Sequence, residues 1–84
     1  MTPAVKIYTL STCLHCNNLK KLLTDCSVEF EFRDVDLLTG KGREAILKEL
    51  KKFNPMCSFP TIIIGDRVIV GFREEEIREA LGLR

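Results

Sequence analysis

The sequence has no excess of charge of either sign and no long apolar segment. Its 13 basic and 12 acidic residues leave a formal net charge of +1, which gives no electrostatic basis for binding nucleic acid. No stretch approaches the roughly 20 apolar residues that a membrane-spanning helix needs, and the chain does not open with the basic and apolar regions of a signal peptide. We therefore expect a cytoplasmic protein.

Internal repeats, linkers and low-complexity segments are also missing. An 84-residue chain lies near the lower end of what folds alone, since such a chain hides only about 60% of its unfolded surface. The apolar fraction of 45% is ordinary for a globular protein and allows one modest core. We expect residues 1–84 to form a single domain and to be a monomer.

Only two of the four cysteines are spaced as a CxxC pair, Cys13 and Cys16. In a reducing compartment such cysteines are catalytic or metal-binding more often than structural. A zinc site would need Cys26 and Cys57, which do not form a second CxxC, so we expect no metal. Cys26 falls on the apolar side of a predicted helix and is expected to be buried. Cys57 is either an incidental thiol or a third redox thiol.

Hydrophobic periodicity predicts the order strand, helix, strand, helix, strand, strand, helix. The predicted strands cover residues 5–10, 28–33, 61–64 and 67–70, the last two joined by a tight turn and buried on both faces. The predicted helices begin just after Cys13, at Gly42 or Arg43, and at Glu74. Two strands joined by a helix are expected to be parallel, with a right-handed crossover. The pattern indicates an α/β fold, a four-stranded mixed sheet with helices on both faces.

The CxxC pair lies where the first strand passes into the first helix, and Ser11 and Thr12 offer hydroxyl groups at that boundary. Unpaired N–H groups and the helix dipole stabilise a thiolate there, and the thiolate is the reactive form. We expect Cys13, at the tip, to attack a disulfide and Cys16, one turn further, to resolve the mixed disulfide. His15 is either an exposed spacer or a cation that stabilises the thiolate and makes the pair more oxidising.

These residues and the order of elements resemble the glutaredoxin branch of the thioredoxin superfamily over nearly the whole chain. Ser58-Phe59-Pro60-Thr61 matches the family's second motif. The resemblance implies a thioredoxin fold, a cis peptide bond before Pro60, and a backbone at Phe59 that pairs with the substrate. It also implies a thiol–disulfide oxidoreductase with a redox-active disulfide and no organic cofactor. Thr12 and His15 are expected to contact the substrate.

The third matching segment, Gly71-Phe72-Arg73, departs from the glycine pair with which glutaredoxins hold glutathione. It is similar to the redoxins that serve ribonucleotide reductase and are reduced by thioredoxin reductase. Leu10 stands where glutaredoxins usually carry a lysine that meets the charge of glutathione. The resemblance therefore implies that Gly71, Phe72 and Arg73 bind protein disulfides and that a thioredoxin-reductase-like enzyme is the donor. A glutathione-dependent glutaredoxin and an iron–sulfur or zinc protein of the same fold are the alternatives.

Overall fold

Three short runs rich in β-branched residues and one more polar run form the four strands of one sheet, and three amphipathic segments form α-helices. The computed structural model describes residues 4–82. The elements in chain order are β1 (Val5–Thr9), α1 (Leu14–Asp25), β2 (Glu31–Asp34), a short 3₁₀ turn (Val35–Leu37), α2 (Gly40–Phe53), β3 (Thr61–Ile64), β4 (Arg67–Val70) and α3 (Glu74–Ala80). The predicted order of elements is confirmed.

The strands lie in the order β2-β1-β3-β4. β1 runs parallel to β2 and antiparallel to β3, and β3 runs antiparallel to β4. The β3–β4 connection is the predicted tight turn, in which Gly65 has a φ of +59°, a conformation that glycine adopts without the steric cost of a side chain. This mixed sheet with three helices is the predicted thioredoxin-like fold.

One face of the sheet carries the main hydrophobic core. The strand register aligns Ile7, Ile62 and Ile69 in a row across β1, β3 and β4. The row packs against Leu19 and Leu23 of α1 and against residues of α3. Successive side chains of a strand point to opposite faces of the sheet, so the residues of β1 at even positions point away from this core. α1 and α3 therefore share one side of the sheet.

The second face is covered by α2. Lys6 and Tyr8 of β1 both donate hydrogen bonds to the carboxylate of Glu49 on α2. Tyr8 is buried, and Leu50, the next residue of α2, is buried as well. The helices thus lie on both faces, as the sequence predicts.

The predictions for two strands need correction. The second strand was predicted over residues 28–33, but β2 begins only at Glu31, and Phe32 is 46% exposed. β2 is an edge strand, so the row of core side chains ends at Phe32, whose ring has the Lys20 ammonium 4.3 Å from its centroid. β4 was predicted to be buried on both faces, but it is the other edge strand of the sheet, and only its Ile69 is buried.

The second helix also differs from its predicted boundary. α2 begins at Gly40, before the predicted Gly42 or Arg43. Two glycines in the first turn hid this start, because glycine is a weak helix former. Among residues 4–82, no helix has both the length and the apolar character required to cross a membrane.

Candidate active site

Cys13 is the N-cap residue of α1. Its backbone is extended and its sulfur accepts a hydrogen bond of 3.3 Å from the backbone N–H of Cys16. The Cys13 carbonyl accepts from the N–H of Asn17 at 3.0 Å, which starts the helix. The predicted helix boundary at these residues is confirmed, although neither Ser11 nor Thr12 is the capping residue. The capping group is the thiol itself, which aligns its sulfur with the positive end of the helix dipole.

Cys16 differs from Cys13 in its surroundings. Cys13 is half-buried, whereas Cys16 has no exposed surface. Burial, together with a hydrogen bond to the Cys13 sulfur, raises the pKa of Cys16 to about 12. At neutral pH the Cys16 thiol therefore keeps its proton. Both cysteines are free thiols in this structure.

The remaining residues of the first motif face the solvent. Thr12 and His15 are exposed, and Leu14 is 69% exposed. The predicted contacts of Thr12 and His15 with a substrate stay predictions. Their position at the helix tip leaves them accessible to a molecule that approaches Cys13.

The second motif lies at the same end of the sheet as Cys13. Tyr8 pairs with Thr61, so Pro60 precedes β3 at the end where β1 passes into the cysteine turn. The Phe59–Pro60 peptide bond is cis, as the resemblance implies. Pro60 is buried and Phe59 is half-buried.

The third motif joins the second through the backbone. The N–H of Gly71 donates to the carbonyl of Pro60 at 2.8 Å, and Gly71 has a φ of +89°. Phe72 packs against the main core, so its ring contributes to the packing of the fold. Arg73 is exposed, and its guanidinium donates to the Val70 carbonyl. The fold thus brings all three sequence motifs to one end of the sheet.

Asn54 supports the loop that carries the second motif. Its side chain is buried and donates to the Ser58 hydroxyl at 3.0 Å and to the Thr61 hydroxyl at 3.1 Å. Its side-chain oxygen accepts from the N–H of Met56. Asn54 was not among the predicted site residues, because Asn-Pro indicates the end of a helix and nothing in its spacing signals a buried side chain.

Two acidic residues, one at the end of β2 and one just after it, hold the segment around the cysteine turn from the other side. Asp36 accepts hydrogen bonds from the hydroxyl and the backbone N–H of Ser11, and these bonds lower the pKa of Asp36. Asp34 accepts from the Thr9 hydroxyl and forms an ion pair of 2.8 Å with Lys20. Neither contact was predicted, since both join segments that are distant in sequence.

The other two cysteines, Cys26 and Cys57, are free thiols outside the CxxC motif. Cys26 is half-buried at the C-cap of α1, so the prediction that it is buried was only partly right. Cys57 is half-buried and has a φ of +52°. Within residues 4–82, no three His, Cys, Asp or Glu side chains are grouped as a metal ion would require.

An open pocket of about 460 Å³ lies away from the cysteines. It is located at the start of β1 and is lined by Ala4, Val5, Lys6, Glu29, Phe30, Glu31, Ile63 and Gly65. Cys13 follows the opposite end of β1, so this pocket takes no part in the chemistry of the pair.

A family model named Glutaredoxin matches residues 5–69, which include the cysteine pair and the cis-proline segment. The chain belongs to the glutaredoxin family. Such a fold, with its adjacent Cys13 and Cys16, fits thiol–disulfide oxidoreductase chemistry in general. No protein among the curated sequences matches the chain.

Three solved structures extend this comparison with other glutaredoxin-type proteins. Methanoredoxin from Methanosarcina acetivorans is 48% identical, with 96% of this chain and 86% of that one covered and a TM-score of 0.91. The glutaredoxin from Methanosarcina mazei Go1 is 51% identical, with 96% and 80% covered and a TM-score of 0.86. The glutaredoxin-like NrdH-redoxin from Escherichia coli, described as having a thioredoxin-like activity profile, is 26% identical, with 90% and 92% covered and a TM-score of 0.68.

Proposed function

We propose that this chain reduces protein disulfides by dithiol exchange, with Cys13 as the nucleophile and Cys16 as the resolving cysteine. The observation that carries the proposal is the difference between the two sulfurs. Cys13 caps α1 at a partly exposed position, whereas Cys16 is fully buried. A capping thiolate is stabilised by the helix terminus and can be reached by a substrate, and a buried protonated thiol can act only after a mixed disulfide has formed beside it.

The reaction balances as two exchanges. The Cys13 thiolate attacks one sulfur of the substrate disulfide, the substrate S–S bond breaks, and the first substrate thiolate leaves and takes up a proton. Cys16 then loses its proton and attacks the Cys13 sulfur. A Cys13–Cys16 disulfide forms, the mixed disulfide breaks, and the second substrate thiol is released. The substrate gains two electrons, which an external donor must return to the pair.

Apolar side chains around the cysteine turn favour a protein as the substrate. Leu14 is 69% exposed and Met56 is 85% exposed, and both lie at the end of the sheet that carries Cys13. Phe59 and Phe72 are half-buried in the neighbouring segments. A polypeptide laid along Phe59-Pro60 would cover these apolar groups and bring its disulfide to Cys13.

The donor proposed for this chain is an enzyme of the thioredoxin-reductase type. Leu10 supplies no charge for the carboxylates of glutathione, and Gly71-Phe72-Arg73 lacks the second glycine of the glutathione-binding segment. The similarity to a redoxin with a thioredoxin-like activity profile favours the same donor. Ribonucleotide reductase is one acceptor that this type of redoxin suggests, and the proposal includes other enzymes that form a disulfide during turnover.

A paired turnover assay tests the donor and the chemistry together. One arm couples the protein to thioredoxin reductase and insulin, and the other couples it to glutathione, glutathione reductase and a small mixed disulfide. We expect turnover in the first arm and little in the second, with Cys13→Ser inactive in both. Turnover only in the glutathione arm would identify a glutathione-dependent glutaredoxin. A Cys13→Ser variant as active as the wild type would contradict the proposed nucleophile.

A further inference from the structure

An ion pair between Lys20 and Asp34 lies one helical turn beyond the resolving cysteine and has no part in the exchange described above. Lys20 follows Cys16 by four residues on α1, and side chains at this spacing lie about 5–6 Å apart at their Cβ atoms on one helix face. The Lys20 ammonium is 2.8 Å from Asp34 at the end of β2. The side chains of Lys20 and Asp34 are only 22% and 12% exposed.

The ammonium is held in place by several contacts. Asp34 accepts a second hydrogen bond from the Thr9 hydroxyl of β1, so its carboxylate is fixed between two strands. The ring of Phe32 lies 4.3 Å from the Lys20 nitrogen. Fixing a lysine side chain in one conformation costs conformational entropy. Here the contacts with Asp34 and Phe32 restrain the Lys20 side chain.

The charged and titratable groups near Cys16 come from α1 with its cap and from β2. Cys13 lies at the helix cap, Lys20 lies one turn further along α1, and Asp34 faces Lys20 from β2. His15, the neighbour of Cys16, is exposed. Burial and the neighbouring Cys13 sulfur raise the pKa of Cys16, and the charge of Lys20 acts in the opposite direction. A cation restrained at low exposure acts more strongly than one in bulk water, because solvent screens it less.

We propose that Lys20 is a positioning residue for the resolving step, whose ammonium, anchored by Asp34, stabilises the negative charge that develops on the Cys16 sulfur. The inference rests on the proposed function, since it concerns the second of its two exchanges. In that step the Cys16 thiol gives its proton to the solvent and its sulfur attacks Cys13. The mixed disulfide breaks and the leaving thiolate departs.

The resolving step can be followed alone with dithionitrobenzoate, an aromatic disulfide that releases a coloured thiolate at each exchange. The first release depends on reagent concentration and reports the attack by Cys13. The second is independent of concentration and reports the attack by Cys16 on the mixed disulfide. Lys20→Met is expected to slow the second phase about three- to tenfold at neutral pH and to move its pH profile upward, since tenfold corresponds to one pKa unit.

Three variants complete the experiment. Lys20→Arg keeps the charge and is expected to restore the second phase, and Lys21→Met removes the adjacent exposed lysine of the same helix and is expected to leave it unchanged. Cys16→Ser removes the second phase altogether. A second phase equally fast in wild type and Lys20→Met overturns the role of Lys20, as does equal slowing of both phases, which would indicate a structural effect. If Cys16→Ser keeps the second phase, the dithiol mechanism itself fails.

Discussion

At the scale of the residue, burial distinguishes the two cysteines of the CxxC pair, Cys13 and Cys16. The boundary between the first strand and the first helix predicts that Cys13 lies at the helix tip, because the N-terminal end of a helix is recognisable from the residues around it. It does not predict that Cys16 is completely buried, since burial depends on segments that meet it only after folding. The order of attack is thus indicated by the sequence, and its physical cause is supplied by the packing.

Tyr8 provides a titration signal free of interference, because the sequence has one tyrosine and no tryptophan. Burial, followed by the hydrogen bond to Glu49 and the charge of Glu49, raises the pKa of Tyr8 above its ordinary value. We expect the absorbance of tyrosinate at 295 nm to develop only well above pH 10 in the folded protein. Glu49→Gln removes the charge but not the burial, so it is expected to lower the midpoint only part of the way.

The raised pKa of Tyr8 also makes the stability of the fold depend on pH in a definite direction. A raised pKa in the folded state favours the protonated phenol, so this contribution to stability is fully present below the pKa of the unfolded tyrosine, about 10. It is lost as the pH rises from there towards the higher pKa of the folded protein. Circular dichroism on the same samples separates tyrosine ionisation from unfolding. A midpoint near 10 in a sample that remains folded would contradict the inference.

At the scale of the element, the strands and helices with regular periodicity are predicted and the irregular connections are not. β3 and β4 match their predicted ranges because their apolar residues are bounded by clear turn signals. The start of α2 was placed too late, since Gly40 and Gly42 suggested a loop. The contacts that fix the site, such as Ser11 with Asp36, join residues far apart in sequence, and no local pattern encodes such a contact.

The loop between α2 and β3 depends on one buried side chain. Asn54→Ala removes hydrogen bonds to Ser58, Thr61 and Met56. Leaving buried polar groups without partners costs about 1–3 kcal/mol, so we expect a loss of stability of that order. Because the loop leads into Phe59-Pro60, we also expect the KM for a protein disulfide to rise while kcat changes little.

Two comparisons show whether Asn54 acts through this loop. Asn18→Ala makes the same substitution at an exposed position of α1 and is expected to change neither the stability nor the KM appreciably. The concentration-dependent reaction of Cys13 with dithionitrobenzoate needs no docking along the loop, so it is expected to keep its rate in Asn54→Ala. An unchanged KM with insulin, in a variant that has lost stability, would restrict Asn54 to a structural role.

At the scale of the whole molecule, the sheet brings together three motifs that are spread along the chain from Cys13 to Arg73. β1 delivers Cys13, β3 follows Pro60, and the turn after β4 brings Gly71 to the Pro60 carbonyl. The antiparallel pairing of β1 with β3 places the beginning of one beside the end of the other. The family resemblance predicts this arrangement, whereas composition and periodicity alone do not decide which strands are neighbours.

The core that supports this arrangement can be tested with two leucines that differ mainly in burial. Leu23 of α1 belongs to the main core and has no exposed surface, whereas Leu37, which follows β2, is 67% exposed. Leu23→Ala removes the same atoms as Leu37→Ala but leaves a cavity among closely packed neighbours. We expect it to lower the free energy of unfolding by about 2–5 kcal/mol.

That loss is a large fraction of the total, since a domain of this size is stable by roughly 5–15 kcal/mol. Leu37→Ala is expected to stay within about 0.5 kcal/mol of the wild type. Urea denaturation followed by circular dichroism measures both, and an unchanged dependence of the free energy on urea concentration shows that the unfolding transition remains comparable. Equal losses in the two variants would mean that α1 is not fixed by its packing on the sheet. In that case the burial of Cys16, which depends on the same helix, could not be what distinguishes it from Cys13.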